Sequence, residues 1–488
     1  MHGKDTPWFH LRLLPLSCWC FCLPAMLLTG CTSVALRTAQ DAYREGKVDD
    51  ARAKIAAYAR KQQVGNNRVI AHLELGNILR GCQDYAASNE AYLVADQAVE
   101  EFDGQPEFQI SKEGLAALSN LNALPYRGFN YDRIMLSTYR ALNYLQLGDL
   151  AAARVELRRA YERQRDAVAR NAKRIEKMQA AVQEVEASPD AAQQTVYDTG
   201  KAQQDEKFKA SIESQYGDLD GFAAYADYVN PFGELVQGLY FAAAGVDGND
   251  HERARVSLRR LKGMVPENPY VGQDLDLAEQ VAEGKPYPPM TYVIFATGTA
   301  PKRGQIRIDI PLFLLTKVDY VGVNFPRLIM NGDYLASLGV EAGGQSLQTV
   351  VVTDMDGVIA REFKNELPIV ITKTLISAGT KALIAYGLKD ATKDKGLAGI
   401  ATRIGTTAYQ ALANQADLRT WATLPKQFQY ARLPNPADGK LVISASGQAP
   451  VSCTVDPAAV NVIWVRSINA QSPLITSQFI LKGRVQCP

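Results

Sequence analysis

Histidine is scarce in this chain. It has only His2, His10, His72 and His251 in 488 residues. The first two lie near the start. His72 and His251 fall in helix-like stretches, where a packed or surface side chain is the default reading, so neither is expected to be catalytic or to bind a metal. Cysteine is also sparse inside the chain, with no CxxC pair and no Cys/His spacing of a zinc site. No metal and no cofactor is therefore expected. Acidic and basic residues nearly cancel, at 52 and 53, which argues against a nucleic-acid partner. No internal run of apolar residues is long enough to suggest a spanning helix.

One cysteine does carry a signal. Lys4 and Arg12 precede an apolar run, Leu13 to Leu28, that ends in Leu28-Thr29-Gly30-Cys31. A charged start, a short apolar core and small residues form the pattern of a secretory signal. The tetrapeptide resembles the bacterial lipobox, which implies cleavage before Cys31 and acylation of that residue. Residues 1–30 are thus expected to be a lipoprotein signal peptide, and Cys31 the lipidation site. Acyl burial gains about 0.8 kcal/mol per CH₂, so several chains anchor stably. Thr32, in place of Asp, resembles an outer-membrane sorting signal. Without residues 1–30 the charges balance.

Export favours disulfides. Cys453 and Cys487 are a possible pair across the last strands, with two unpaired thiols as the alternative. Cys82 reads as a small buried apolar residue.

Residues 31–283 are rich in good helix formers and contain internal similarity. Gly46-Lys47-Val48-Asp49-Asp50-Ala51, Gly81-Cys82-Gln83-Asp84-Tyr85-Ala86 and Gly148-Asp149-Leu150-Ala151-Ala152-Ala153 share a frame. A Gly closes one helix, and an Ala five residues on lies in the next. The frames resemble tetratricopeptide repeats. Ala141, Tyr144, Gly148, Ala153, Leu157 and Ala160 form the fullest copy. Ala254, Leu258, Leu261 and Pro266 mark a fourth. Such arrays offer a groove to a partner's peptide or helix; the alternative is a helical bundle without a ligand. Val168, Ile175 and Val182, with Met178 and Val185, have coiled-coil spacing. They predict a helical hairpin insertion over about 161–216 with a solvated charged face. Asn230-Pro231 predicts a turn with proline early in the next helix.

Residues 284–290 read as a stiff linker, and 291–488 as a second domain. Strands are expected at Met290–Phe295, Gln305–Ile310, Asp319–Val323, Gln348–Val352, Lys440–Ser444, Val460–Arg466 and Gln478–Val485. The Gly298–Gly304 stretch reads as a hairpin loop rather than a phosphate loop, since no helix follows. Two apolar helices are expected, one from Pro368 to about Leu388 and one from Gly396 to about Ala416. Their apolar faces either pack internally or meet a membrane or partner.

Gln348–Ala360 reads Q-T-V-V-V-T-D-M-D-G-V-I-A. A strand leading into Asp354-x-Asp356-Gly357 is how haloacid dehalogenase phosphatases present their nucleophile. That chemistry also needs a Ser or Thr, a Lys and a further acidic pair at strand ends. Thr372 and Lys381 fall in a helix-like stretch instead, and β/α alternation is missing. The motif reads better as a strand end whose Asp354 or Asp356 caps the next helix.

Tyr131–Leu145, Asn230-Pro231-Phe232, Ile306–Pro311 and Ala416–Pro425 together resemble a family of poorly characterised proteobacterial outer-membrane lipoproteins. Some of its members sit beside lipoproteins similar to activators of peptidoglycan synthases. The family carries no established catalytic residues. In Ala416–Pro425, Asp417 is expected to cap, to pair with Arg419 or to accept backbone donors at the turn, and Trp421 to anchor the return into a strand; the stretch reads as the exposed polar candidate of this half.

The expected fold is α+β: a tetratricopeptide-like helical array with a hairpin insertion, then a mostly antiparallel β domain with two inserted helices. The expected function is that of a non-enzymatic lipid-anchored scaffold at the outer membrane, periplasm-facing. Its acyl chains would hold the membrane, its repeats another envelope protein, and no small-molecule substrate is expected. The alternative is a component of an envelope assembly or export complex with oligomerising or membrane-contacting helices. A phosphatase built on Asp354 and Asp356 is a remote second alternative.

Overall fold

A computed structural model of the chain describes residues 28–105, 124–187, 197–222, 225, 229–313, 318–379 and 416–482. Helices fill the N-terminal half and strands dominate the C-terminal half, an α+β architecture. The helices are α1 (Leu28–Arg44), α2 (Val48–Lys61), α3 (Arg68–Gly81), α4 (Tyr85–Asp103), α5 (Asn130–Gln146), α6 (Leu150–Ala187), α7 (Thr199–Gln204), α8 (Glu206–Tyr216), α9 (Pro231–Ala244), α10 (Gly248–Met264) and α11 (Pro269–Ala282). Helix α12 (Met355–Thr374) lies among the strands.

The turns explain the pairing of successive helices. Gly46 and Gly148 have φ of 77° and 76°, values that suit glycine. Between α3 and α4 the left-handed residue is Gln83, φ 63°, not Gly81. The shared frame is therefore shifted by two residues there. Ser88 replaces the expected Ala86 at the close approach: it is buried and its hydroxyl donates to the Gly76 carbonyl at 2.7 Å, while Ala86 is exposed. Asn230 caps α9 through the Phe232 amide at 3.0 Å, with Pro231 in the first turn, as the sequence predicts.

The strands are β1 (Met290–Thr297), β2 (Lys302–Phe313), β3 (Val318–Ile329), β4 (Gly339–Ala342), β5 (Gln345–Gln348), β6 (Val350–Asp354), β7 (Gln427–Pro434), β8 (Lys440–Ser444), β9 (Val451–Thr454), β10 (Val460–Ser467) and β11 (Ile475–Lys482). A five-stranded sheet has the order β11-β10-β1-β7-β6. Only β1 and β10 run parallel within it, in register from Met290↔Val460 to Thr297↔Ser467. Both strands are buried along their whole length, as strands covered on two faces must be. Alternation points Ile294, Phe428, Tyr430, Trp464 and Arg466 to one face. There Phe232 of α9 stacks on Phe428 at 3.8 Å, and Tyr139 of α5 meets Trp464 edge-on. A second sheet, β5-β4-β8-β9, adds Val340, Leu441 and Ile443 to the same apolar core.

The β2–β3 ribbon stands apart, pairing Lys302↔Ile329 through Phe313↔Val318. It does not pair with β1, so Gly298–Gly304 joins two sheets and is not the expected hairpin loop. Tyr197, Phe208, Tyr216 and Leu219 cover Ile308, Ile310, Leu312, Val323 and Phe325 in a second core.

Several further expectations are corrected. Helix α6 runs on for 38 residues, but the returning arm is the short α7 and α8, laid on the ribbon rather than along α6. Burial of Phe208 and Tyr216 against the ribbon outweighs a polar coiled-coil partner. Arg163 and Arg174 of α6 turn inward to Asp96 and Glu366, so that stretch is not wholly a solvated face. Pro368 lies inside α12 and does not start it. The expected second helix, from 396, lies outside the described residues. Strand β1 already begins at Met290, and within the otherwise largely exposed residues 284–289 Tyr287 is buried, its hydroxyl 2.6 Å from that of Tyr292.

Candidate functional site

The inner face of the helices is occupied by the chain itself. Residues 416–426, irregular and largely buried, cross α1, α3 and α5 before entering β7. Glu74, fully buried on α3, is the anchor. Its Oε1 accepts from the Ala422 amide at 2.8 Å and from Gln40 Nε2 at 2.6 Å, and its Oε2 accepts from the Thr423 hydroxyl. Gln40 also donates to the Thr420 carbonyl, and Asn77 to the carbonyl and hydroxyl oxygens of Thr423. Trp421 is fully buried, 5.8 Å from Tyr92 and 6.0 Å from Tyr139 between ring centroids. Bonds of this kind give an irregular segment the partners that secondary structure would otherwise supply.

Of the roles open to Asp417, the structure forms the pair with Arg419. Asp417 accepts from the Arg419 amide, Nε and Nη2, the last at 2.6 Å. It is not the exposed candidate it first resembles: Arg419 is buried and reaches Asn67 and the Leu124 carbonyl. Burial raises the Asp417 pKa, but the Arg419 charge and bonds outweigh it and the net shift is downward. Of the sequence blocks that carry the family resemblance, the structure joins Tyr131 to Thr420, hydroxyl to hydroxyl at 3.0 Å. Ile306–Pro311 lies in β2.

Asp354 ends β6 and caps α12, accepting from the Asp356 amide at 2.9 Å. Asp356 pairs with Lys426. Burial pushes its carboxyl up to about 6, against the Lys426 ammonium. Strand β6 is a sheet edge antiparallel to β7, whereas the phosphatase arrangement needs a parallel strand flanked by helices. Thr372 donates its hydroxyl to the Pro368 carbonyl within α12. Lys381 lies outside the described residues.

Other buried acids serve the same kind of joint. Glu362 of α12 accepts from the Asn130 and Tyr131 amides at 2.6 and 3.0 Å, closing the start of α5 from outside; burial, then the Glu366 charge, pushes it upward. Asp132 accepts from the Tyr126 hydroxyl and the Phe129 amide, and burial takes it up to about 7. Asp274 of α11 accepts from the Tyr292 and Tyr430 hydroxyls, both at 2.8 Å, and pairs with Arg432. Burial takes it up to about 6. Glu74 is pushed up to about 7 by burial, although its three donors favour the charged form. Shifted acids often mark active sites. Here each gives at least one oxygen to an amide, hydroxyl or cation, and Glu74, Asp274 and Asp356 tie helices to strands or to the segment that enters them. Sequence reading missed these acids because Glu and Asp inside helices look like surface residues.

Among the described residues no cluster of His, Cys, Asp and Glu suits a metal ion, and no helix is long and apolar enough to cross a membrane. His72 is buried, its Nδ1 2.9 Å from the Arg68 carbonyl oxygen, and burial lowers its pKa. Cys82 and Cys453 are half-buried free thiols, raised by burial, which makes them poor nucleophiles. Cys487 lies outside the described residues. Cys31 falls in the first turn of α1, and its side chain is outside the described part.

Comparison with known protein families, with curated proteins and with solved structures finds no match to the chain.

Proposed function

We propose that the protein is a non-enzymatic, lipid-anchored scaffold of the cell envelope, held at the outer membrane through acyl chains on Cys31. One observation carries this reading: the helical layer grips residues 416–426 of its own chain where a repeat array would grip a partner. The turns at Gly46, Gln83 and Gly148 share a left-handed residue, which supports tetratricopeptide-like repeats. With the inner face filled, the partner meets what projects from the body. That is the α6 extension, where Val168 is exposed, and the β2–β3 ribbon, where Val318 and Tyr320 are exposed. An envelope protein, in envelope or peptidoglycan biogenesis, is the partner class that the lipobox and the family resemblance favour.

Cys31→Ser is expected to move the protein from the membrane to the soluble fraction. Continued membrane association would favour a membrane-contacting assembly component instead. Crosslinking in intact cells followed by mass spectrometry is expected to recover one envelope protein, and recovery of none above background would overturn the scaffold reading. Mg²⁺-dependent phosphatase activity lost in Asp354→Asn would overturn the non-enzymatic part.

A further inference from the structure

A recess lies between the helices and the open end of the five-stranded sheet. Tyr43, Arg80, Tyr85 and Tyr139 line it from the helices, and Trp464, Arg466 and Ser477 from β10 and β11. Its volume is about 350 Å³ including the open side, and its enclosed floor is little larger than a water molecule.

Two arginines face this space, and both are 5% exposed. Arg80 makes a single hydrogen bond, from Nη1 to Asn143 Oδ1. Its guanidinium otherwise lies among rings: 4.6 Å from the Trp464 centroid, 5.2 Å from Tyr139 and 5.7 Å from Tyr85. Arg466 Nη1 donates to the Ala296 and Ser467 carbonyls. Arg80 Nε, Arg80 Nη2 and Arg466 Nη2 are buried without an acceptor among the described residues. Among the described residues no carboxylate forms an ion pair with either arginine, whereas Arg140, Arg154, Arg163, Arg419 and Arg432 each have one.

A guanidinium stays charged when buried, and a buried unpaired charge is costly. Ring faces offset part of that cost, but they leave in-plane N–H groups unmatched. Those groups suit the oxygens of an anion. The aromatic walls suit a flat or apolar body behind it.

We propose that this recess is an anion-binding site, in which Arg80 and Arg466 hold one carboxylate or phosphoryl group of a small ligand against Trp464 and Tyr139. The floor has room for about one ligand oxygen, so the rest of the anion and of the ligand lies at the mouth beside Tyr85 and Ser477. This departs from the expectation of no small-molecule ligand, and it stands whether or not the scaffold reading does.

The test is thermal unfolding of the purified full-length protein with sodium phosphate or sodium acetate, at constant ionic strength set with fluoride. The midpoint is expected to rise by roughly 2 °C at anion concentrations about tenfold above Kd. A response to phosphate alone assigns a phosphoryl group, to acetate alone a carboxylate, and to both a small oxyanion in general. Arg466→Gln is expected to abolish the response. Ser477→Asp places a carboxylate in the recess lining on the edge strand, where it can still accept from Gln146 Nε2 as the half-buried Ser477 hydroxyl does at 2.7 Å. It is expected to raise the midpoint in anion-free buffer and to remove the response, which keeps the test alive if Arg466→Gln does not fold. No rise with either anion, or an equal rise in the wild type and Ser477→Asp, would overturn the proposal.

Discussion

The two apolar cores are built on different terms. The main core draws on almost every helix and on two sheets, and chain-distant polar bonds cross it: Glu74 to Ala422, Glu362 to Asn130, Tyr270 to the Gln348 carbonyl. The second core is a two-stranded ribbon with two short helices and one face of α12 laid on it. An isolated two-stranded ribbon is marginal in water, so the ribbon depends on those apolar contacts and on two buried hydrogen bonds, from the Tyr197 and Tyr216 hydroxyls to the Pro311 and Pro326 carbonyls. Its outer side carries weaker links, such as Lys207 4.0 Å from the Tyr320 ring centroid. The main core is thus cross-tied by buried carboxylates as well as hydroxyls, while the second has fewer such ties and can open locally without breaking those of the main core.

The comparison breaks most sharply at Trp421. Trp421→Ala is expected to cost about 4 kcal/mol and to lower the chemical denaturation midpoint of the whole chain. Retention of protection at β1 and β10 in hydrogen exchange would show that residues 416–426 are not part of the main cooperative unit. Phe208→Ala comes next, at about 3 kcal/mol. Here β2 and β3 should lose hydrogen-exchange protection while β1 and β10 keep it. Equal loss in both sheets would merge the two cores into one unit.

A smaller effect separates the cores by pH. The Glu74 carboxyl is raised from 4.5 to about 7 in the fold. A raised carboxyl adds stability that is full below the unfolded value and fades as pH climbs through the folded one. Asp132, Asp274 and Asp356 act in the same direction in the main core. The midpoint of the main transition is therefore expected to fall between about pH 5 and about pH 8. Glu74→Gln, which keeps an acceptor for Ala422, should make that fall shallower, and an unchanged slope would remove Glu74 from the account.

The smallest expected change in stability is Tyr320→Ala, less than about 1 kcal/mol for an exposed cation–π contact. If the ribbon meets the partner, the same variant lowers crosslinking in cells while the unfolding midpoint stays put. Unchanged crosslinks would move the partner surface to the α6 extension.

Much of the secondary structure was legible. Lys440–Ser444 is a strand, as expected, and Asn230-Pro231 opens its helix. Asp354 caps a helix because a carboxylate at a strand end meets free amides whatever the fold around it. The candidate site was hardly legible. Asp417 with Arg419 is two residues apart and could be paired on paper, but Glu74 with Thr423 is separated by 349 residues. The helix start expected at Pro368 is absent: proline favours a helix start, but the helix that Asp354 caps runs on through Pro368, with Met355, Ile359 and Phe363 buried.

The sequence by itself determined the order of helices then strands, the turns that pair successive helices, and the cap at Asp354, because each depends on residues within a few positions of one another. Only the tertiary structure decided which chain fills the inner face of the helices, that α7 and α8 lie on the ribbon, and that Arg80 and Arg466 meet at one recess. Those outcomes depend on burial between segments far apart in the chain. No local pattern encodes whether a given Glu or Arg faces water or a neighbouring strand.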